Sequence, residues 1–258
     1  MTSDLVVLET GAITTIRLNN PPLNLISKDV TVALDVALDA VEKDRAIRAV
    51  IVTGTGDHAF CAGSDINEFT LLLGRVGEGK LIAENATYSR LANLAVPTVA
   101  AIQADALGGG LELALCCDLR VAVETARLGL PEVRLGVIPG SGGLQRLPRL
   151  IGLARAKELT LLGEIIDATT ALNMGLVNRV APSGQIGALS MSIAETLASR
   201  GPIAVREAKA ALDAALDVSL DDGLARDLRA SERVFSSDDM VEGTTAFLEK
   251  RPATFKNR

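Results

Sequence analysis

The sequence is poor in the residues that build most metal centres and hydrolase triads. Its 258 residues include one histidine, His58, and no tryptophan. A zinc site built on several imidazoles is therefore excluded, and a Ser-His-Asp hydrolase would have to use His58, which lies in a predicted surface turn. No metal site is predicted, and any acid–base chemistry is expected to fall to carboxylates.

Cysteine is scarce as well. The three cysteines, Cys61, Cys116 and Cys117, are odd in number, and the opening "MTSDLVVLET" has neither the basic start nor the long apolar core of a signal peptide. These features predict a reducing, cytoplasmic setting. Because Cys116 and Cys117 lie in a run of leucine and alanine, where small thiols are ordinary core residues, we expect both to be buried.

Long apolar runs and clusters of basic residues are also missing. Hydrophobic residues make up 48% of the chain, yet charges, glycines and prolines interrupt every run short of the roughly 20 residues that a membrane span needs. The formal net charge is -6, and the 26 basic residues are scattered. The sequence therefore predicts neither a membrane nor a nucleic acid as a partner.

The first half of the sequence alternates strand and helix patterns. Residues 4–18 predict a hairpin of two β-branched strands, and residues 27–44 predict a helix with Ser27 as its N-cap. A fully apolar strand is predicted at 49–54, followed by a loop at 55–66.

A mostly helical stretch is then predicted up to about residue 93, with strands at 98–106 and 119–125. Very apolar strands joined by crossover helices imply an α/β core. From about residue 144 the patterns become helical, with only "GLVNRVAP" extended. The wide apolar faces of these helices predict that the region packs against another protein surface rather than lying free in solvent.

Three consecutive glycines, Gly108, Gly109 and Gly110, open a predicted helix that carries Glu112 among leucines. Glycine costs about 1 kcal/mol relative to alanine in a helix, and an unpaired carboxylate among leucines costs more, so the two together predict a site. The start of a helix has unpaired N–H groups, and glycine lets a ligand oxygen approach them. Such a segment can form half of an oxyanion hole.

Two further segments have the same character. The loop "AFCAGSDI" at 59–66 places small residues after a buried strand, where a second backbone N–H is expected. Glu132 follows a proline in another Gly-rich segment. The chain between Glu112 and Glu132 is long enough for the helix that carries Glu112 to end and for one strand to return towards the start of that helix. The two carboxylates are then expected to meet over one substrate. The residues alone equally allow Glu132 to be a helix N-terminal charge or a surface residue.

Four segments, in this order and spacing, resemble the enoyl-CoA hydratase/isomerase (crotonase) superfamily: "AFCAGSDI", "ALGGGLELALCCDLRVA", "LPEVRLGVIPGSGGLQRLPRLIG" and "EGTTAFLEKRPATFK". The resemblance covers essentially the whole chain. It implies an α/β spiral of ββα units followed by a C-terminal helical trimerisation region. Here it implies an α/β core at 1–195 and a helical oligomerisation region at 196–258, assembled as a homotrimer or a dimer of trimers.

The resemblance also implies the site residues. The backbone N–H groups of Ser64 and Gly109 would hold the thioester oxygen, and Glu112 and Glu132 would be the two catalytic glutamates. The residues implied in binding coenzyme A are Ala62, Ser64, Asp65, Ile66 and Lys250. The implied partner is an acyl-CoA thioester substrate. No metal or separate cofactor is implied, because coenzyme A is part of that substrate.

Two places depart from the family's pattern. Gln103 and Ala104 stand where the family usually has Asn-Gly, and Asn67 stands where a lysine often helps to bind the coenzyme A phosphates. Having both glutamates favours hydration of a 2-enoyl-CoA to a 3-hydroxyacyl-CoA. The alternatives are an enoyl-CoA isomerase, a carnitinyl-CoA-type dehydratase and, less favoured, a non-catalytic acyl-CoA binding module.

Overall fold

The computed structural model describes residues 5–258, so the first residue of the predicted hairpin and part of the opening "MTSDLVVLET" lie outside the described residues. The strands in this range are β1 (Val6–Glu9), β2 (Ile13–Leu18), β3 (Ala49–Gly54), β4 (Ala59–Cys61), β5 (Thr98–Ile102), β6 (Asp105–Leu107), β7 (Leu119–Val123), β8 (Arg127–Gly129), β9 (Ile165–Asp167) and β10 (Arg179–Ala181). The α-helices are α1 (Lys28–Lys43), α2 (Asn67–Leu71), α3 (Ile82–Ala92), α4 (Gly109–Ala114), α5 (Gly143–Ile151), α6 (Leu153–Leu162), α7 (Ala168–Met174), α8 (Ile186–Ala198), α9 (Pro202–Ala214), α10 (Leu220–Phe235) and α11 (Asp238–Leu248). A π-helical segment (Gly77–Leu81) precedes α3, and a 3-10 helix (Glu132–Leu135) precedes α5.

The larger sheet has six strands in the order β1-β2-β3-β5-β7-β10. β1 is antiparallel to β2, and the other neighbours are parallel. Val50 and Val52 of β3 face the main core, whereas Ala49 and Ile51 face α8, where they pack near Ile193. Because both faces are covered, β3 is apolar throughout rather than alternating, as its sequence predicted.

The smaller sheet has four strands in the order β4-β6-β8-β9. In the chain, β3 leads to β4, β5 to β6 and β7 to β8, so successive strands pass from the larger sheet to the smaller one. The helix α4 then closes the unit formed with β5 and β6. The α/β spiral of ββα units followed by a C-terminal helical region is thereby confirmed.

Three short strands correct the sequence prediction. Residues 98–106 form β5 and β6 rather than one strand. The chain turns at Gln103, whose Nε2 donates to Ala59 O at 3.0 Å and whose Oε1 accepts from Gly54 N at 3.3 Å. β4 lies inside the predicted loop 55–66, and β9 lies in the region predicted to be helical. Both have three residues, too few to show an alternating pattern.

The C-terminal region is helical from α8 onward. α8 covers the larger sheet, and the boundary predicted between residues 195 and 196 falls inside this helix. Beyond it, α9 packs against α10. Within residues 5–258, a helix with the length and apolar character needed to cross a membrane is not found.

His58, Cys116 and Cys117 lie where the sequence predicts. The His58 side chain is exposed and its Nδ1 contacts Asp57 Oδ1 at 2.8 Å. Cys61, Cys116 and Cys117 are all buried. Burial raises the pKa of Cys61 and Cys116 to about 12, so these side chains are thiols at neutral pH and serve as core residues.

Candidate active site

The three glycines let helix α4 approach strand β4 closely. Gly108 has φ +52°, a left-handed conformation that favours glycine. A Cβ on Gly110 would lie 2.0 Å from Cys61 O, so a larger residue does not fit there. A Cβ on Gly109 would lie 3.4 Å from Ser64 N. The start of α4 and the loop after β4 are therefore neighbours.

Two backbone amides at this junction are available to a ligand. Ser64 N and Gly109 N have no acceptor among the residues that the structure describes, whereas the next amide in the loop, Asp65 N, donates to Ile26 O at 2.9 Å. Neighbouring N–H groups of this kind can stabilise negative charge that develops on an oxygen. Because α4 has only six residues, this capacity rests on the two amides rather than on a long helix dipole.

Glu112 is held in the interior by backbone donors. Glu112 is only 2% exposed. Glu112 Oε1 accepts hydrogen bonds from Ser141 N at 2.8 Å and Gly143 N at 2.7 Å. Burial raises the pKa of Glu112 to about 7, against these two hydrogen bonds, which lower it. The carboxyl group therefore gains and loses its proton near neutral pH.

Glu132 is the first residue of the 3-10 helix and is half-buried. A Cβ on Gly108 would lie 3.0 Å from Glu132 Oε1, which places this carboxyl beside the start of α4. Glu132 Oε2 is buried and has no hydrogen-bond partner within residues 5–258. Burial raises the pKa of Glu132 to about 7. A carboxyl with an unpartnered oxygen and a raised pKa is typical of a group that acts on a ligand.

The charge of one glutamate reaches the other. The charge of Glu132 raises the pKa of Glu112, so the two carboxyls do not ionise independently. The two amides that donate to Glu112 favour its ionised form. The site thus combines two carboxyl groups with raised pKa values and two free amides.

The residues that the resemblance assigns to coenzyme A fall into two groups. The first group forms the loop after β4 and consists of Ala62, Ser64, Asp65 and Ile66. Asn67, in the place of the family's lysine, closes this loop through bonds from its N and Nδ2 to Asp65 Oδ1 at 3.0 and 2.9 Å. Lys250 is exposed and follows α11, with its amide donating to Phe247 O. In the described part of the chain, no hydrogen bond or ion pair of Lys250 reaches the loop.

Four buried polar residues behind α4 were not predicted from the sequence. They are Lys80, Glu84, Tyr88 and Ser141, each at most 2% exposed. Tyr88 Oη donates to Gly109 O at 2.9 Å and thereby supports the start of α4. The segment around Glu84 is polar and weakly periodic, which is typical of an exposed helix. The one available signal was that the single tyrosine follows Glu84 by four residues, on the same helical face.

Comparisons with known proteins show which family the chain resembles as a whole. A sequence model described as Enoyl-CoA hydratase/isomerase matches residues 9–258. The chain is 39% identical over 256 residues to a short-chain-enoyl-CoA hydratase of Clostridium acetobutylicum, covering 98% of each protein. It is 40% identical over 237 residues to a mitochondrial methylglutaconyl-CoA hydratase of Rattus norvegicus, covering 90% of this chain and 75% of that protein. A crystal structure of an enoyl-CoA hydratase from Bacillus anthracis superposes with a TM-score of 0.95 at 40% identity, covering 98% of this chain and all of the other.

Proposed function

The chain belongs to the enoyl-CoA hydratase/isomerase family, and we propose that it adds water reversibly to the double bond of 2-enoyl-CoA thioesters, giving 3-hydroxyacyl-CoA. Hydratase activity at the level of the family follows from the relatives. One observation carries the finer proposal. Glu112 and Glu132, whose pKa values are both raised to about 7, lie at the same junction as the free amides of Ser64 and Gly109.

Hydration needs a base for water and an acid for the α-carbon. Glu112, as the carboxylate, takes a proton from water while the water oxygen bonds to the β-carbon. The electrons of the double bond move towards the thioester, and negative charge develops on its oxygen. The amides of Ser64 and Gly109 donate to that oxygen and stabilise the enolate.

The second proton completes the addition. The enolate re-forms the thioester carbonyl as its α-carbon takes the proton of Glu132. At the end of this step Glu112 is protonated and Glu132 is ionised, so a proton must pass from Glu112 to Glu132 through solvent before the next turnover. The same steps in reverse remove water from the 3-hydroxyacyl-CoA, so the pair serves both directions.

The loop from Ala62 to Ile66 supports binding of the coenzyme A part of the substrate. Its Ser64 amide serves the thioester oxygen, and the exposed Ile66 offers an apolar contact next to it. Lys250 is the proposed cation for a coenzyme A phosphate. A short acyl chain is the proposed substrate class, in keeping with the name of the short-chain-enoyl-CoA hydratase of Clostridium acetobutylicum, which matches over nearly its whole length.

A direct assay tests this function. The purified protein is incubated with crotonyl-CoA, and loss of the conjugated thioester's ultraviolet absorbance is followed together with formation of 3-hydroxybutyryl-CoA. We expect hydration of crotonyl-CoA. Conversion of 3-butenoyl-CoA to crotonyl-CoA without water addition would instead identify an isomerase, and binding without turnover of either thioester would identify a binding module.

A further inference from the structure

A third carboxyl group lies behind the site and takes no part in the mechanism above. Glu84, on α3, has a fully buried side chain. Its Oε1 accepts a hydrogen bond from Ser141 Oγ. Its Oε2 lies 3.5 Å from Lys80 Nζ and has no hydrogen-bond partner among the described residues. Burial of a loosely paired carboxylate is unfavourable, so its place beside the catalytic pair points to a role there.

Ser141 connects Glu84 to Glu112. Its hydroxyl donates to Glu84, and its own amide donates to Glu112 Oε1 at 2.8 Å. Gly143 N, which donates to the same oxygen at 2.7 Å, lies two residues further along the chain, at the start of α5. The conformation of the Glu84 side chain is therefore transmitted to the Glu112 carboxyl through a single intervening residue.

Other side chains on α3 hold the loop that precedes α5 and contains Ser141. Asn85 Nδ2 donates to Gly140 O at 2.6 Å. Arg146 donates from Nη1 to Ser141 O at 3.1 Å and from Nη2 to Ser89 Oγ at 3.4 Å, which ties the loop to the next turn of α3. These contacts place the loop backbone, whereas Glu84 contacts the Ser141 side chain.

We propose that Glu84 is a positioning residue for hydration, which acts through Ser141 to hold the two amides that bind Glu112. The inference rests on the function proposed above. Glu84 also acts through its charge, because that charge raises the pKa of Glu112 and makes its carboxylate a stronger base. The effect of Glu84 on the position of Glu112 and its effect on the pKa of Glu112 can be tested by separate variants.

Charged and titratable groups face Glu84 from several elements. They are Lys80 from the π-helical segment, Glu68 from α2, Tyr88 from α3, Cys61 from β4 and Glu112 from α4. Lys80 Nζ donates to Glu68 Oε2 at 2.7 Å and to Ile26 O at 2.8 Å, both shorter than its 3.5 Å separation from Glu84. Glu84 is therefore only partly neutralised by Lys80, and burial keeps the pKa of Glu84 raised.

Two variants separate the two effects. Glu84→Gln keeps an acceptor for the Ser141 hydroxyl and removes the carboxylate, whereas Ser141→Ala removes the hydroxyl and leaves the Glu84 side chain in place. The values of kcat and KM for crotonyl-CoA hydration are measured across pH. For Ser141→Ala we expect kcat to fall about tenfold with little change in KM, because the base is held less well. For Glu84→Gln we expect the acid limb of kcat/KM to move to lower pH by roughly half a unit.

Glu68→Gln is the matched control, because it removes the other carboxylate on Lys80 without touching Ser141. We expect this variant to keep the parent's acid limb. The proposal is overturned if Glu84→Gln also keeps the parent's acid limb and lowers only the unfolding temperature, or if Ser141→Ala keeps the parent's kcat. A parent that fails to hydrate crotonyl-CoA overturns the proposed function itself, before any variant is compared.

Discussion

At the scale of single residues, a contact could be predicted only where its two residues lie close together in the sequence. Glu112 could be singled out because a carboxyl among leucines is locally unusual. Its partners could not, since Ser141 and Gly143 lie 29 and 31 residues further along the chain. Glu84 was missed because its local pattern resembles that of an exposed helix, and only the fold brings it to Ser141. Such contacts depend on topology, which local patterns do not contain.

The raised pKa values of the two glutamates predict a narrow pH optimum. Glu112 must be ionised, so hydration is lost as pH falls below about 7, and Glu132 must be protonated, so hydration is lost as pH rises above about 7. A plot of kcat/KM for crotonyl-CoA against pH is therefore expected to be bell-shaped, with both limbs near neutrality. A rate that stays constant from about pH 5.5 to about pH 8.5 would show that these carboxyls do not titrate in the reaction.

The proposed role of Lys250 predicts an effect on binding alone. Lys250→Ala should raise KM for crotonyl-CoA, leave kcat nearly unchanged and make the remaining affinity less sensitive to salt, because an ion pair with a phosphate is lost. Lys157→Ala removes another exposed lysine, on α6, and serves as the control. If KM is the same for both variants at every ionic strength, Lys250 does not contact the substrate.

At the scale of elements, strands with strong patterns were predicted well and short ones were not. β3 is found at the predicted residues 49–54 because both of its faces are apolar. The turn at Gln103 divides one predicted strand into β5 and β6, since its side chain bonds to the neighbouring turn rather than continuing the strand. The glycine triplet predicted a site from the sequence. The reason for each glycine follows only from the structure, in which α4 packs against β4.

The glycines are expected to differ in what they support. Gly110→Ala should lower the free energy of unfolding by about 3 kcal/mol or more, since its Cβ would lie 2.0 Å from a backbone oxygen. Gly109→Ala should fold but lower kcat about tenfold or more, because its Cβ would lie 3.4 Å from Ser64 N, beside the oxyanion position. Urea denaturation and crotonyl-CoA hydration measure the two effects.

Gly187→Ala is the control for both glycine variants. It lies in α8, and a Cβ there has no neighbour within 4 Å, so it should be neutral or stabilising. Equal unfolding free energies for Gly110→Ala and Gly187→Ala would contradict the close approach of α4 to β4.

At the scale of the whole molecule, the C-terminal region exposes several large apolar side chains. Leu220, Leu224 and Leu228 repeat every four residues along α10 and are 77%, 54% and 70% exposed. Phe247 and Leu248 at the end of α11 are 82% and 79% exposed. Apolar patches of this kind mark interaction surfaces. The composition of the sequence predicted the helices and their wide apolar faces, but not which residues would remain uncovered.

These faces predict a homo-oligomer, a trimer or a dimer of trimers. Leu228→Asp should reduce the mass measured by light scattering, because a carboxylate would be buried in the contact. Val32→Asp places the same charge at a 62% exposed position on α1 and should leave the mass unchanged. A parent protein that scatters as a monomer at micromolar concentration would rule out this assembly.

The central claim is that Glu112 and Glu132 transfer the two protons of hydration, and the most direct measurement is the kcat of Glu112→Gln and Glu132→Gln with crotonyl-CoA. Glutamine keeps the size and the hydrogen-bonding capacity of each side chain but cannot transfer the proton. Glu158→Gln, at an exposed position on α6, is the control. The account predicts that each site variant loses at least about 10²-fold in kcat, with KM and unfolding largely kept. A variant that hydrates crotonyl-CoA within about threefold of the parent would contradict it.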